Sequence, residues 1–101
     1  MKQVTLSRKD VRKTVDLGGG FERHDFYPTI QGNTYYSFTF NAGNLKPISA
    51  SFVGSFNGQG FDPYWMMSYP FGLNAWRVVV HNPSNLSIFS GFAGFYFITK
   101  T

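Results

Sequence analysis

The sequence predicts an all-β domain, an antiparallel β-sandwich of jelly-roll-like type or a small barrel, with about seven or eight short strands. The 101 residues include 12 Phe, 6 Tyr and 11 Gly but few good helix formers, which favours strands and turns. Apolar and polar residues alternate at period two in several segments, and no segment has a helical period. Turn residues recur about every ten residues, as in small all-β domains.

A chain of this length forms one domain, and charge divides it into three parts. Residues 1–17 are a charged N-terminal arm, in which residues 2–7 and 11–17 are predicted to form two edge strands. Residues 18–24 are predicted to be a glycine-rich hinge. Residues 25–101 are the aromatic-rich body: from residue 26 onward the chain has four charged side chains and 19 of the 20 aromatics. Such a segment is typical of a covered or binding surface.

The first half of the body predicts three strands. Residues 25–30 form a short strand interrupted at Pro28. Residues 34–41 alternate, with large aromatics on one face and Tyr35, Ser37 and Thr39 on the other. Residues 48–56 alternate in the same way, with serines on their polar face. The pair that follows, Asn57 and Gly58, predicts a hairpin turn, because both central positions of that turn need positive φ.

The second half predicts further strands with apolar residues on more of their surface. Residues 61–70 are rich in aromatics that do not separate into faces. Residues 76–81 alternate, with Trp76, Val78 and Val80 opposed to Arg77, Val79 and His81. The last run, residues 86–98, is apolar on both faces, so we expect a central strand or an interface, with its two glycines as bulges or points of close approach.

The composition argues against several function classes. Without cysteine there is no disulfide or thiolate chemistry. The net charge of +4 is shared equally by residues 1–25 and 26–101, so no concentrated basic patch predicts nucleic-acid binding. Residues 78–99 lack formal charge, but polar residues interrupt them, and no transmembrane segment is expected. The N-terminus has no apolar run of signal-peptide length, so secretion by that route is not expected.

The inventory of chemical groups predicts no enzyme, metal or cofactor. Glu22, His24 and Asp25 are close in sequence, and two of them share a strand face, but no third metal ligand is evident. His81 is expected to be a hydrogen-bonded histidine at a strand end. No serine lies in a nucleophile elbow, and no glycine cluster has phosphate-loop spacing.

An aromatic cluster in residues 61–76 is the main candidate contact site for a partner or ligand. Aromatic faces beside Asp, Asn or Gln can bind carbohydrate, whereas aromatics with methionine are enriched in protein interfaces. The methionines favour the interface, and both interpretations stay open. The candidate residues are Phe61, Asp62, Tyr64, Trp65, Met66, Tyr69 and Trp76.

Two further sets are candidates for contacts. The basic residues of the arm are predicted to anchor it to a partner: Arg8, Lys9, Arg12 and Lys13. The last strand is a candidate interface strand through Phe89, Phe92, Phe95 and Phe97. Its aromatic run also resembles a base-stacking strand of RNA-binding domains, but Gly94 is an extra residue that reverses the face of the later aromatics. Core packing is the favoured interpretation of that run.

The segment from Asn74 to Ser84, Asn-Ala-Trp-Arg-Val-Val-Val-His-Asn-Pro-Ser, precedes an apolar final strand. This arrangement resembles the closing hairpin of small β-sandwich modules in bacteriophage virions, found in tail fibres, baseplates, spikes and decoration or vertex proteins. The resemblance implies a non-enzymatic virion component that forms a symmetric homo-oligomer or packs against a capsid or tail protein. A lectin-like module for a cell-surface glycan is the alternative function, and a weak single-stranded nucleic-acid binder is the second alternative.

Overall fold

A computed structural model describes residues 1–56, 59–60, 65–83, 85–87 and 93–101. These residues form strands and turns and no helix, so the predicted all-β class is confirmed. Within the described ranges, no helical segment has the length and apolar character needed to cross a membrane. The strands are β1 (Lys2–Leu6), β2 (Lys13–Gly18), β3 (Phe21–Phe26), β4 (Thr34–Asn41), β5 (Lys46–Phe56), β6 (Gln59–Gly60), β7 (Trp65–Pro70), β8 (Ala75–Asn82) and β9 (Ala93–Lys100).

The strands form two sheets that pack against each other. The first sheet has the order β1-β4-β8-β7, and the second has the order β2-β3-β9-β5-β6. The two strands of the N-terminal arm therefore belong to different sheets, each at an edge, where the charge pattern predicts edge strands. All pairs are antiparallel except β1 with β4, which is parallel. A parallel pair needs a long connection. Here the chain between β1 and β4 forms β2 and β3, which belong to the second sheet.

The core lies between the sheets and contains the aromatic faces that the alternation predicts. Phe38 of the first sheet contacts Phe95 of the second, with their ring centroids 4.6 Å apart. Phe52 lies 4.8 Å from Phe95 on its own sheet. The buried cluster draws on both sheets and the loops that join them: Leu6, Ile30, Tyr36, Phe38, Phe40, Ala42, Leu45, Val78, Val80, Phe95 and Phe97.

The glycine-rich segment is the turn of a hairpin. Gly18, Gly19 and Gly20 all have positive φ and join β2 to β3, and β3 itself begins at Phe21. Residues 21–24, assigned to a hinge from the sequence, are therefore strand residues. Their pairing with β2 on one side and β9 on the other holds β2, the second strand of the arm, in the second sheet.

Gly94 is a point of close approach. It pairs in regular register with Val53, and a Cβ at this position would lie 2.9 Å from the hydroxyl oxygen of Tyr96. The tyrosine ring occupies the space that a side chain would need. The register shift between β5 and β9 lies elsewhere, between Pro47 and Ser49. The predicted turn at residues 57 and 58 and the glycine at position 91 are outside the described residues.

Candidate functional site

The outer face of the first sheet is the surface that faces away from the core. In β4, Tyr36, Phe38 and Phe40 are buried, so the alternate residues face outward. Three large side chains on or beside this face are substantially exposed: Tyr35 at 46%, Phe71 at 44% and Met67 at 43%. A single exposed apolar residue is ordinary, and here three occur on or beside one sheet face.

A stacked aromatic pair forms one end of this face. Tyr35 and His81 are register partners on β4 and β8, and their rings stack with centroids 3.8 Å apart and planes 3° from parallel. Trp65 of β7 is the register partner of His81 on its other side. In this stack each ring covers one face of the other.

A fixed arginine marks the other end of the outer face. The guanidinium carbon of Arg77 lies 3.5 Å from the ring centroid of Phe71, which is a close cation–π contact. Its Nε donates a hydrogen bond of 3.0 Å to the hydroxyl of Thr39 on the neighbouring strand. Tyr69 is the register partner of Arg77 on β7. Two contacts, one with Thr39 on β4 and one with Phe71 just after β7, therefore set the plane of the guanidinium.

Between the two ends the face is uncharged. The row that crosses the sheet there consists of Gln3, Ser37, Val79 and Met67, by the register of the four strands. Ser37 and Val79 are nearly buried by their neighbours. Among the described residues of this face, Arg77 is the one formal charge, so a partner would meet little desolvation cost across most of it.

The outer face of the second sheet is different because it carries an arginine that is paired with a carboxylate. Arg23 donates from Nε and Nη2 to the two oxygens of Asp25, at 2.8 and 2.9 Å. The hydroxyl of Tyr27 donates to the same carboxylate at 3.4 Å, and the guanidinium lies 5.7 Å from the ring centroid of Tyr96. Hydrogen bonding to Asp25 raises the pKa of Arg23 above its ordinary value. Arg23, Asp25 and Tyr27 therefore form one hydrogen-bonded network.

His24 is a buried histidine with both ring nitrogens occupied. Its Nε2 lies 2.8 Å from the hydroxyl of Thr99, and its Nδ1 lies 3.4 Å from the hydroxyl of Thr14. Its ring packs against Phe40, with centroids 5.2 Å apart. Burial lowers the pKa of His24, although the nearby Glu22 opposes this. The described residues contain no group of three side chains able to hold a metal ion.

The basic residues of the arm are exposed around the turn between β1 and β2. Arg8 and Lys9 line a shallow cavity of about 350 Å³. The turn is closed by Asp10, whose carboxylate accepts a 2.7 Å bond from the backbone N–H of Ser7; this hydrogen bond lowers the pKa of Asp10. An Nη2 of Arg8 lies 4.0 Å from Glu22, a long and exposed ion pair.

The structure separates the residues that the sequence grouped as contact sites. Trp76 faces the core, where its Nε1 donates to Ser68 at 2.7 Å, whereas Tyr69 lies on the outer side of the same sheet. Phe95 and Phe97 are fully buried between the sheets and have no surface for a partner. For Trp65 and Met66 the structure gives the position of the backbone, which pairs with His81 and Val80 of β8. The remaining predicted residues lie outside the described ranges: Phe61, Asp62, Tyr64, Phe89 and Phe92.

Sequence reasoning missed the two fixed pairs of the outer face. The alternation in residues 76–81 does place Arg77 and His81 opposite the core residues, and that signal was present. The partners of these side chains, Tyr35, Thr39 and Phe71, depend on which strands pair and in which register. No local pattern in the sequence contains that information.

A family model described as YjdH matches residues 2–99, nearly the whole chain. The chain belongs to the YjdH family. Both ends of the outer face, the Tyr35–His81 stack and the Arg77–Phe71 contact, fall inside the region that the YjdH model covers. No curated protein and no solved structure matches the chain.

Proposed function

We propose that this YjdH-family chain is a non-enzymatic assembly protein that packs onto another protein surface through the outer face of its first sheet. The observation that carries the proposal is the exposure of Tyr35, Met67 and Phe71 on a face whose described residues include one formal charge. The virion is the setting that the resemblance of residues 74–84 implies, with a second copy or another virion protein as the partner. A jelly-roll-like sandwich is the matching fold hypothesis.

The size and composition of the face support a protein partner. Four strands of 5 to 8 residues, spaced about 4.8 Å apart, make a flat footprint of about 400 Å². The side chains that project from the sheet add to that area. The total is of the same order as the surface that each partner loses in a standard interface, about 800 Å². Interfaces are enriched in Tyr, Phe, Met and Arg and depleted in Lys, Asp and Glu, and this face follows the same pattern.

The ring geometry favours a protein over a carbohydrate. A sugar is held against the open face of an aromatic ring. Here Tyr35 and His81 stack on each other, so the inner faces of both rings are already covered. Tyr69 lies on the same side of the sheet, but its nearest register partner is Arg77, which lies against Phe71. The histidines also support a non-catalytic role, because His24 is buried with both nitrogens engaged.

Photo-crosslinking in the cells that naturally produce the protein tests the assembly face. A photoreactive phenylalanine replaces Tyr35 in one variant, and replaces Ser51, which is exposed on the outer face of the second sheet, in a matched control. We expect a discrete adduct from position 35 and none from position 51. The mass of the adduct distinguishes a second copy of the chain from a different partner. Equal yields at the two positions, or no discrete adduct, would contradict the proposal.

The virion setting has its own test. If the proposal is right, particles purified from the same cells contain the chain in a constant ratio to their major structural protein. Absence of the chain from the particles would show that the setting is wrong and would leave the crosslinking result unaffected.

A further inference from the structure

Among the described residues, the contacts that orient Arg77 leave its outer nitrogens available. Its Nε donates to Thr39, and its flat face lies on the ring of Phe71. Within the described residues, no carboxylate lies within 4.0 Å of its guanidinium; the ion pairs found there are those of Arg8 and Arg23. The two Nη groups therefore form a fork that can donate two parallel hydrogen bonds.

This arrangement matches the requirements of a carboxylate receptor. A free arginine loses several side-chain rotations when it binds an anion, which reduces affinity. Phe71 and Thr39 have already restricted those rotations at Arg77. A planar guanidinium fork fits the two oxygens of a carboxylate better than a single point charge does. The weakly polar surface around it lowers the local screening by water.

We propose that Arg77 is the anchor for an Asp or Glu side chain of an acidic protein partner that docks on the outer face of the first sheet. The inference rests on the proposed function and names the chemistry of the partner. Arg77 contributes charge and direction, and the exposed side chains of Tyr35 and Met67 contribute the contact area.

Charge complementarity favours such a partner over a second copy of the same face. A two-fold pairing would bring two copies of Arg77 into one interface, and the described residues of this face include no carboxylate to neutralise them. Burying an unpaired charge is costly. The chain as a whole is also basic, with a net charge of +4, so it attracts acidic proteins and repels its own copies at long range.

A nucleic acid fits the same arginine less well. Phosphate backbones are bound by several basic side chains arranged along one surface. The described part of this face offers Arg77 alone, and the basic residues Arg12 and Lys13 belong to the arm and the second sheet. The predicted ligand is therefore a single carboxylate within an apolar surface.

Two peptides that differ in one group test the inference. The probes are acetyl-Phe-Glu-Phe-amide and acetyl-Phe-Gln-Phe-amide, titrated into the full chain and followed by NMR signals of the arginine side chains. We expect the Glu peptide to bind about five- to tenfold more tightly than the Gln peptide, because a charge-assisted fork adds that much at a partly exposed site. The signal that moves should be Arg77.

Variants separate orientation from charge. Arg77→Gln should remove the preference for the Glu peptide, and Phe71→Ala should weaken it while the charge remains. Arg12→Gln, a change at an exposed arginine of the arm, should leave it unchanged. Asp62→Asn should also leave it unchanged if Arg77 is free for a ligand. A single cooperative urea transition in each variant confirms that it is folded, and Phe71→Ala is allowed the small fall in midpoint that loss of an exposed ring causes.

Several results would overturn the inference. These are equal affinity for the two peptides, equal shifts at all arginines, a preference that survives Arg77→Gln, and displacement of the Glu peptide by inorganic phosphate at lower concentration than by acetate. The proposed function fails separately, through the absence of a crosslink from position 35. A crosslink that persists in the Arg77→Gln chain would keep the assembly face and reject the carboxylate anchor.

Discussion

Phe95 is the side chain whose removal should cost the core most. It is fully buried on β9, and four other phenylalanines surround it, with ring centroids 4.6 to 6.4 Å away. Among them, Phe38 belongs to the opposite sheet, so Phe95 is part of the contact that joins the two layers. We expect Phe95→Ala to weaken this contact more than any surface change.

The magnitude follows from the buried area. A phenylalanine removes about 200 Å² of mostly apolar surface from water, and at about 25 cal/mol per Å² this corresponds to about 5 kcal/mol. Alanine retains part of that burial, while the cavity adds a cost, so the free energy of unfolding should fall by about 3 to 5 kcal/mol. Domains of this size have about 5 to 15 kcal/mol in total, so the variant should remain close to the limit of folding.

Urea denaturation followed by tryptophan fluorescence measures this loss. With an m-value of about 1.5 kcal/mol per molar urea, the midpoint should fall by about 2 M or more. Phe71→Ala is the matched control, because it deletes the same ring from a position that is 44% exposed. The control should lose about 1 kcal/mol or less. Similar losses at the two positions would refute the assignment of Phe95 to the centre of the core.

Two further predictions concern polar burial and close packing. Because the folded state holds His24 with a pKa below its ordinary 6.5, folding excludes a proton that the unfolded chain binds. The free energy of unfolding should therefore have the full contribution of His24 above about pH 6.5 and should fall as the pH decreases below it. The urea midpoints at pH 7.5 and pH 5.5 should differ by a larger amount in the unchanged chain and in His81→Gln than in His24→Gln. An unchanged slope in His24→Gln would reject this explanation. Gly94→Ala should cost about 1 to 3 kcal/mol, because the new methyl group would displace the ring of Tyr96, and a double-mutant cycle with Tyr96→Val should recover part of that cost. Strictly additive losses would show that the two residues do not compete for space.

The alternation of apolar residues predicted the faces of the strands well wherever one face is buried and the other is not. In β4, the aromatics at 36, 38 and 40 are buried, as the pattern indicates. In β8, Trp76, Val78 and Val80 face the core in the same way. The physical reason is local: successive side chains of a strand point to opposite faces, so a half-buried strand records its orientation in its own sequence.

The same alternation pattern predicted less about the candidate site. The sequence predicted contact sites in residues 61–76 and 86–98, because aromatic residues are dense in both segments. The fold divides those residues, with Trp76, Phe95 and Phe97 in the core and Tyr69 on the outer face. Density alone does not distinguish a core from an interface, since both bury aromatic rings.

The sequence by itself determined that this protein is built from strands, that its charges are concentrated in an N-terminal arm and that its body has too little charge for an ordinary surface. Only the tertiary structure decided that the arm contributes one strand to each sheet. It also decided that Tyr35 stacks on His81 and that Thr39 orients Arg77 across 38 positions of chain. Strand character, and the face of the strand to which each side chain points, are local properties. Strand pairing and register are set by contacts between segments far apart in sequence.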